Sequence, residues 1–355
     1  MKKHRLTGII CLILTVMLSG YILLDTFLIQ TKMQTNISTD TSSAFLAAKS
    51  QLQPNTLPTA GAENAPQSSI NPDLLEEAST EPASEDSDLV TEIASDLENI
   101  PESEPENLMA EYALDTEYPA WSDENISVTL TEYLYLDTHI YVADVAVSSA
   151  EYLKSAFAEN TYGRNVTDET SDIAAENNAI LAVNGDYYGA QETGYVIRNG
   201  TVYRDTSSGN SEILCIYADG TMSIENTGTL SAQALVDSGV WQTLSFGPGL
   251  LDDGNVLVSV DDEVGKARAS NPRTAIGQVS SNHYLFVVSD GRTDESAGLS
   301  LFELAEFMQG LGAQTAYNLD GGGSSTMYYQ GDVINNPTSG RSISERSVSD
   351  IVYIG

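Results

Sequence analysis

Histidine and cysteine are almost missing from this chain of 355 residues, with three of the first and two of the second. Cys11 lies in an apolar N-terminal run and Cys215 in a strand-like segment far along the sequence. A disulfide framework is thereby excluded, and no ligand set for a structural zinc is present. A Ser-His-Asp triad would have to use His139 or His283, because His4 belongs to the basic N-terminal tip. Basic residues are scarce too: 15 Lys and Arg stand against 51 Asp and Glu, a formal net charge of -36. Long-range repulsion on that scale argues against nucleic acid or an anionic lipid surface as a partner. A phosphate-bearing substrate stays open, since a local pocket can be basic within an acidic protein.

Long apolar runs are absent with one exception. After MKKHR, residues 6–24 are almost uninterruptedly apolar. Nineteen residues at ~1.5 Å each match the roughly 30 Å hydrocarbon core of a bilayer. Lys2, Lys3 and Arg5 precede the run, which places the N-terminus in the cytoplasm and the rest of the chain outside. The reading is an uncleaved signal anchor, a single-pass segment over residues 1–29, with a cleaved signal peptide as the alternative. From 30 to 120 the chain is rich in Ser, Thr, Pro and Glu, and no Lys or Arg occurs between Lys49 and Lys154. Such a segment buries too little apolar surface to offset its ordering entropy, and its like charges extend it. It reads as a disordered acidic stalk.

Residues 121–355 turn globular. ISVTLTEYLYL and HIYVADVAV alternate apolar and polar residues around a turn at Asp137 and Thr138, as paired strands do. YVIRNGTVY is a hairpin with Asn199-Gly200 supplying the positive φ of a type I′ turn, and Asp219-Gly220 repeats the device. Helices are expected at 168–177, with Thr167 as cap, at 230–237, and most clearly at 299–311. The fold class is α+β: one domain of mixed, mostly antiparallel β-sheet with a few packed helices.

Polar clusters at strand ends are the candidates for chemistry, because a strand end holds a side chain rigidly while it still meets solvent. Asn184-Gly185-Asp186-Tyr187-Tyr188 follows AILAV, and Arg273 opens RTAIG. Asp290-Gly291-Arg292 follows YLFVV. Asn318-Leu319-Asp320 runs into Gly321, Gly322, Gly323 and Ser324, and Glu345-Arg346 precedes the last strand. Three consecutive glycines let backbone N–H groups approach a ligand or form an anion-binding nest. The loop lacks the Lys of a phosphate-binding P-loop and the spacing of a nucleophile elbow. A turn with Asp320 capping its own backbone is the plain alternative, as ordinary turn chemistry is for Asp186. Arg273 and Arg292 are rare cations suited to a phosphate, or to a salt bridge with a surplus acid. With thiol, zinc and triad chemistry poorly supplied, carboxylates are left for acid–base work. Asp261-Asp262-Glu263 is compatible with calcium or with a solvated loop, and the motifs require no metal or other cofactor.

Together NGDYYG, NPRTAIG, VVSDGR, NLDGGGSS and ERSVSD resemble the phosphodiester glycosidase domain family, over roughly residues 127–355. That group includes bacterial proteins labelled as exopolysaccharide-biosynthesis proteins. The resemblance implies hydrolysis of the bond between a sugar's anomeric carbon and a phosphodiester oxygen. It implies Asp320 and Asp186 as reacting carboxylates, with Glu345 a third candidate, and Arg273 on the phosphate with Arg292 or Arg346 assisting. Asn184, Asp290 and the 321–324 segment would hold the substrate, and a carbohydrate or glycosyl-phosphate polymer is the implied partner. One departure is visible, since Ser347 stands where the family pattern has proline. A non-catalytic carbohydrate-binding or assembly module of the same fold is the competing expectation.

Overall fold

The computed structural model describes residues 14–21, 29–35, 37, 41–52, 108–207, 209, 211–228, 230–260, 270–340 and 342–355. Two antiparallel sheets pack face to face. The larger has eight strands in the order Asn255–Val256, Gly249–Asp252, Thr315–Asn318, Arg273–Ser280, His283–Ser289, Thr138–Val147, Ile126–Tyr135 and Trp121–Ser122. The smaller has five, with Leu181–Asn184 between Met327–Tyr329 and Asp350–Ile354. The expectation of a sheet-dominated domain with few helices holds, and every pairing among the described strands is antiparallel.

The alternation read from the sequence builds the core. Val128, Leu130, Ala143 and Val145 of the larger sheet face Leu181, Val183, Val352 and Ile354 of the smaller one. On its outer face the larger sheet presents Ile140, Val142, Leu285 and Val287 to Leu301, Leu304, Phe307 and Met308. Those last four lie on the helix Leu301–Gly310, which Ser300 and Glu303 open with a reciprocal capping box. The smaller sheet's outer residues Ala182, Ile351 and Tyr353 meet Ile173 and Ala174 of the helix Thr170–Glu176. AILAV is therefore continuously apolar because its strand is buried on both faces.

Three expectations change in detail. The first hairpin turn falls on Leu136 and Asp137, both at positive φ, one residue earlier than expected. Asn199 and Gly200 have positive φ as a type I′ turn requires, but at the next turn only Gly220 does. There Asp219 Oδ1 instead accepts from Thr221 N at 3.0 Å. Thr167 does not cap the helix Thr170–Glu176, whose N-cap position is Glu169. A carboxylate from far along the chain does that work, as described below.

Parts of the segment expected to be a disordered stalk are ordered elements. Thr31–Gln34 adds as a strand to Tyr162–Arg164, and helix Ser42–Gln51 lays Phe45 edge-on against Trp241 with ring centroids 5.0 Å apart. At the other end Tyr112 packs edge-on to Tyr135 at 5.1 Å, and Ala113 bridges Tyr133. Aromatic and apolar residues within these flanks, Phe45, Ala48 and Tyr112 among them, supply the surface that packs on the domain. Residues 53–107 lie outside the described residues, as does most of the 6–24 run. Residues 14–21 are helical, and among the described residues no helix is long and apolar enough to cross a membrane.

Phe307 is fully buried and packs edge-on to Tyr133 at 5.4 Å. Phe307→Ala is expected to lower unfolding free energy by about 3–5 kcal/mol. Chemical denaturation giving a loss under about 1 kcal/mol would contradict this packing.

Candidate active site

The strand ends carrying the polar clusters meet at one end of the sandwich. Asn184 closes its strand opposite Ile351, and Asn318 closes another opposite Ala275. Asn184 is the knot that joins them. It is fully buried, its Nδ2 donates to the Asp320 carbonyl at 2.6 Å, and its Oδ1 accepts from Thr274 Oγ1 at 2.8 Å. Asn184 therefore positions the Asp320 loop and is not exposed to a substrate, contrary to the expected contact with sugar hydroxyls.

The glycine run is a short turn, Gly322–Ser324. Two of its N–H groups are taken by carbonyls, Gly322 donating to Pro272 at 2.8 Å and Ser324 to Gly321 at 3.3 Å, and the Gly321 N–H bonds to the Asp320 carboxyl. The glycines also give room. A Cβ on Gly322, which has φ +64°, would stand 2.9 Å from Arg292 Nη2. One on Gly321 would stand 3.9 Å from Arg273 Cδ, and one on Gly323 would stand 3.6 Å from Arg346 Cδ. Each glycine thus has an arginine laid against it. In a chain this poor in cations, the guanidinium groups of Arg292 and Arg346 at one turn, with the stem of Arg273 beside them, form a local positive field. Arg273 Nε donates to the Leu299 carbonyl at 2.8 Å, and Arg292 donates from Nε and Nη2 to Asn271 Oδ1. Arg346 reaches Asp320 Oδ2 at 3.2 Å and Ser324 Oγ through Nε at 3.0 Å.

Asp320 lines a narrow cleft with a cavity volume of about 20 Å³, room for about one water. Gly185, Tyr187, Ser324, Ser349 and Asp350 share its wall. Ser324 Oγ donates to Asp320 Oδ2 at 2.5 Å. Burial raises the Asp320 carboxyl above the ordinary carboxylate range, with Ser324 and Arg346 opposing that rise. The two tyrosines of NGDYY part company. Tyr188 is buried and stacks on Tyr162 at 5.4 Å, whereas Tyr187 is 44% exposed at the cleft with φ +67°. A bulky residue held in the left-handed region is strained, and such strain concentrates at functional sites.

Asp186 turns away from this cleft wall into a buried ion network. Its Oδ1 accepts from Arg198 Nη2 at 2.9 Å and Tyr188 N at 3.2 Å, and its Oδ2 from Ser245 N at 2.8 Å. Arg198, itself 1% exposed, turns Nε and Nη2 onto Asp350 Oδ2 at 2.9 and 2.7 Å. Burial pushes the Asp350 carboxyl up to about 6, and Asp186 reinforces the rise that Arg198 resists. Asp186 thus holds the NGDYY loop in place, and the reacting role expected of it does not fit its fully engaged oxygens.

Two further expectations are corrected. Glu345 Oε1 accepts from Ser171 N at 3.0 Å and Oε2 from Ser171 Oγ at 2.5 Å. It caps the helix Thr170–Glu176 and pins the loop that carries Arg346, which removes it from the reacting carboxylates. Asp290 is 2% exposed and accepts from Asn335 Nδ2, Asn336 N and Asn336 Nδ2, so it braces that loop instead of holding substrate. His139 and His283 pair with Glu132 and Asp144, and Ser324 bonds to Asp320 and Arg346, so no histidine serves Ser324. Among the described residues no cluster of three His, Cys, Asp or Glu could hold a metal. Asp261-Asp262-Glu263 lies outside them.

A sequence model of the phosphodiester glycosidase family matches residues 177–355, half of the chain, which includes Asn184, Asp186, Arg198, Asp320 and Asp350. The chain belongs to that family. It is 28% identical over 184 residues to mouse N-acetylglucosamine-1-phosphodiester alpha-N-acetylglucosaminidase, covering 47% of this chain and 35% of the mouse protein. It is 27% identical over 210 residues to the uncharacterized SPbeta prophage-derived protein YomE of Bacillus subtilis, covering 58% of this chain and 32% of that one. The chain therefore spans about a third of the length of these curated relatives. The zebrafish N-acetylglucosamine-1-phosphodiester alpha-N-acetylglucosaminidase catalytic domain, solved auto-inhibited by its pro-peptide, shares the fold. Its TM-score is 0.52 at 19% identity, over 68% of this chain and 85% of that domain.

Sequence reasoning gave no role to two residues at this end of the fold, Arg198 and Asp350. Arg198 sits in a segment read as a hairpin strand, and Asp350 closes the ERSVSD motif where the last strand begins. The available signal was a charge inside an otherwise apolar strand, VIR and DIVYI, which burial makes costly unless it is paired. Arg198→Met would strand two buried carboxyls, so a stability loss of about 3–5 kcal/mol is expected at neutral pH. Folded Asp350 titrates above the ordinary carboxylate value of 3.8, so its ionisation opposes folding as pH rises from about 4 to about 6. The loss in Arg198→Met should therefore be smaller at pH 5 than at pH 8. Urea melts showing equal losses at both would contradict the network.

Proposed function

We propose that this protein is a hydrolase that cleaves the sugar C1–O bond of a glycosyl-1-phosphodiester, releasing a free sugar and a phosphomonoester. The observation that carries the reading is the set of three arginines, one against each glycine of Gly321–Gly323, beside the cleft-lining carboxyl of Asp320. Such a site suits a substrate with a phosphate next to an anomeric carbon. Arg273, Arg292 and Arg346 take the phosphate oxygens and neutralise the charge that builds on them as the bond breaks. A departing phosphate is already acidic, so a strong general acid is unnecessary. Asp320 lies where it can stabilise positive charge at C1, as carboxylates do for oxocarbenium-like transition states. Tyr187 offers an exposed ring on which a sugar face can pack.

The placement of the enzyme is part of the same proposal. The apolar run at 6–24, behind Lys2, Lys3 and Arg5, anchors the chain in the cell membrane with this domain outside. The substrate there is a surface glycopolymer with glycosyl-phosphate linkages. An acidic domain is soluble among the cations of a cell wall and gains substrate affinity only from its local arginines.

Asp320→Asn is expected to abolish sugar release from a glycosyl-1-phosphodiester while the melting temperature stays nearly unchanged. Arg292→Ala should raise KM for the diester with little effect on stability, because Arg292 bonds to an exposed loop. A wild-type chain that binds such polymers yet releases no sugar from a broad panel of diesters would make it a binding module.

A further inference from the structure

Asp350 has one oxygen that the ion network leaves over. Arg198 places Nε and Nη2 on Oδ2, and Oδ1 is a buried polar atom with no hydrogen-bond partner among the described residues. That carboxyl also lines the cleft that holds Asp320. Gly185 is what allows this, because a Cβ there would stand only 2.2 Å from Oδ1. The other acids offered by the sequence are engaged: Asp186 by Arg198, Tyr188 and Ser245, and Glu345 by Ser171.

We propose that Asp350 is the second catalytic carboxyl of this site, and that its Oδ1 is the general base for the hydrolytic water. The assignment rests on the reading of the site as a glycosyl-phosphodiester hydrolase. In the step, the water oxygen bonds to C1 while its proton passes to Asp350 Oδ1. The C1–O bond to phosphorus breaks, and its electron pair leaves on the phosphate oxygen held by the arginines. Asp350 then returns the proton to solvent, leaving a sugar hemiacetal and a phosphomonoester. Arg198 fixes the carboxyl by its other oxygen, so the base needs no reorganisation.

The groups facing Asp350 set its proton affinity. Arg198 comes from the strand Gly194–Arg198, and Asp186 and Tyr188 from the loop after Leu181–Asn184, while Asp320 shares the cleft. Burial and the Asp186 charge bring the carboxyl up to about 6 against the pull of Arg198 and of the Asp186 backbone N–H. A base with that affinity is ionised at neutral pH yet strong enough to take a proton from attacking water.

The test is the pH profile of kcat/KM for the full-length chain and for Asp350→Asn on one glycosyl-1-phosphodiester. The wild type should lose rate as pH falls through about 6. Asp350→Asn should lower kcat by about 10²–10⁴-fold and flatten that acidic limb. A variant that keeps the limb and a near wild-type kcat overturns the assignment and leaves the hydrolase reading standing. A wild type inactive on every diester overturns both. Should Asp350→Asn not fold, ¹³C-carboxyl NMR of the wild type decides. An aspartate titrating together with the limb supports the assignment, and a limb with no matching aspartate, or no limb, overturns it.

Discussion

A single guanidinium, fully enclosed, holds this end of the sandwich together. Arg198 reaches Asp186 on the loop after one strand and Asp350 at the start of another, and its Nη1 also bonds to the Thr243 carbonyl. Three segments distant in sequence are thereby fixed around one charge. Two carboxyls beside a single cation cannot both be comfortably ionised in a dry interior, so one of them binds its proton more tightly. The network thus joins two duties: it fixes the NGDYY loop, with Tyr187 in its strained conformation, and it raises the proton affinity of a carboxyl at the cleft. Removing the cation would loosen the loop and drive that proton affinity higher still, because it leaves buried carboxyls without a compensating charge.

The glycine run and the arginines show the complementary device. Arg273, Arg292 and Arg346 come from three separate places in the chain, and each comes to lie against a residue without a side chain. The N–H groups of Gly322 and Ser324 are occupied within the fold, and that of Gly321 bonds to the Asp320 carboxyl. The turn is instead a floor low enough for three long cations to lie over it. A strongly acidic surface surrounding that spot keeps the protein soluble while one locus stays receptive to phosphate.

The sequence was informative where its signals were local. Period-two alternation in ISVTLTEYLYL and the 3.6-residue pattern of LFELAEFMQG depend on near neighbours, so the paired strands and the packed helix could be read directly. The strand-end clusters at Asn184, Arg273, Arg292, Asp320 and Arg346 were legible as a group, through their position and the rarity of cations. What could not be read was which oxygen each group would meet. Asp186 and Asp350 have the same side chain, yet one is engaged at both oxygens and the other at one, a difference set by Ser245 and Tyr188. Glu345 looked like an acid beside an arginine and turned out to cap a helix begun 175 residues earlier in the chain. Long-range partners of this kind leave no periodic trace. The flanks 31–34 and 42–51 were hidden for another reason, because each is too short to show a period of its own beside a long low-complexity segment.

The account turns on which bond is broken. Hydrolysis of a glycosyl-1-phosphodiester by the full-length chain in H₂¹⁸O, with products resolved by ³¹P NMR and mass spectrometry, reads this directly. Attack at the anomeric carbon predicts ¹⁸O in the released sugar and none in the phosphomonoester. Label appearing in the phosphate would mean attack at phosphorus and would contradict the roles given to Asp320, Asp350 and the three arginines.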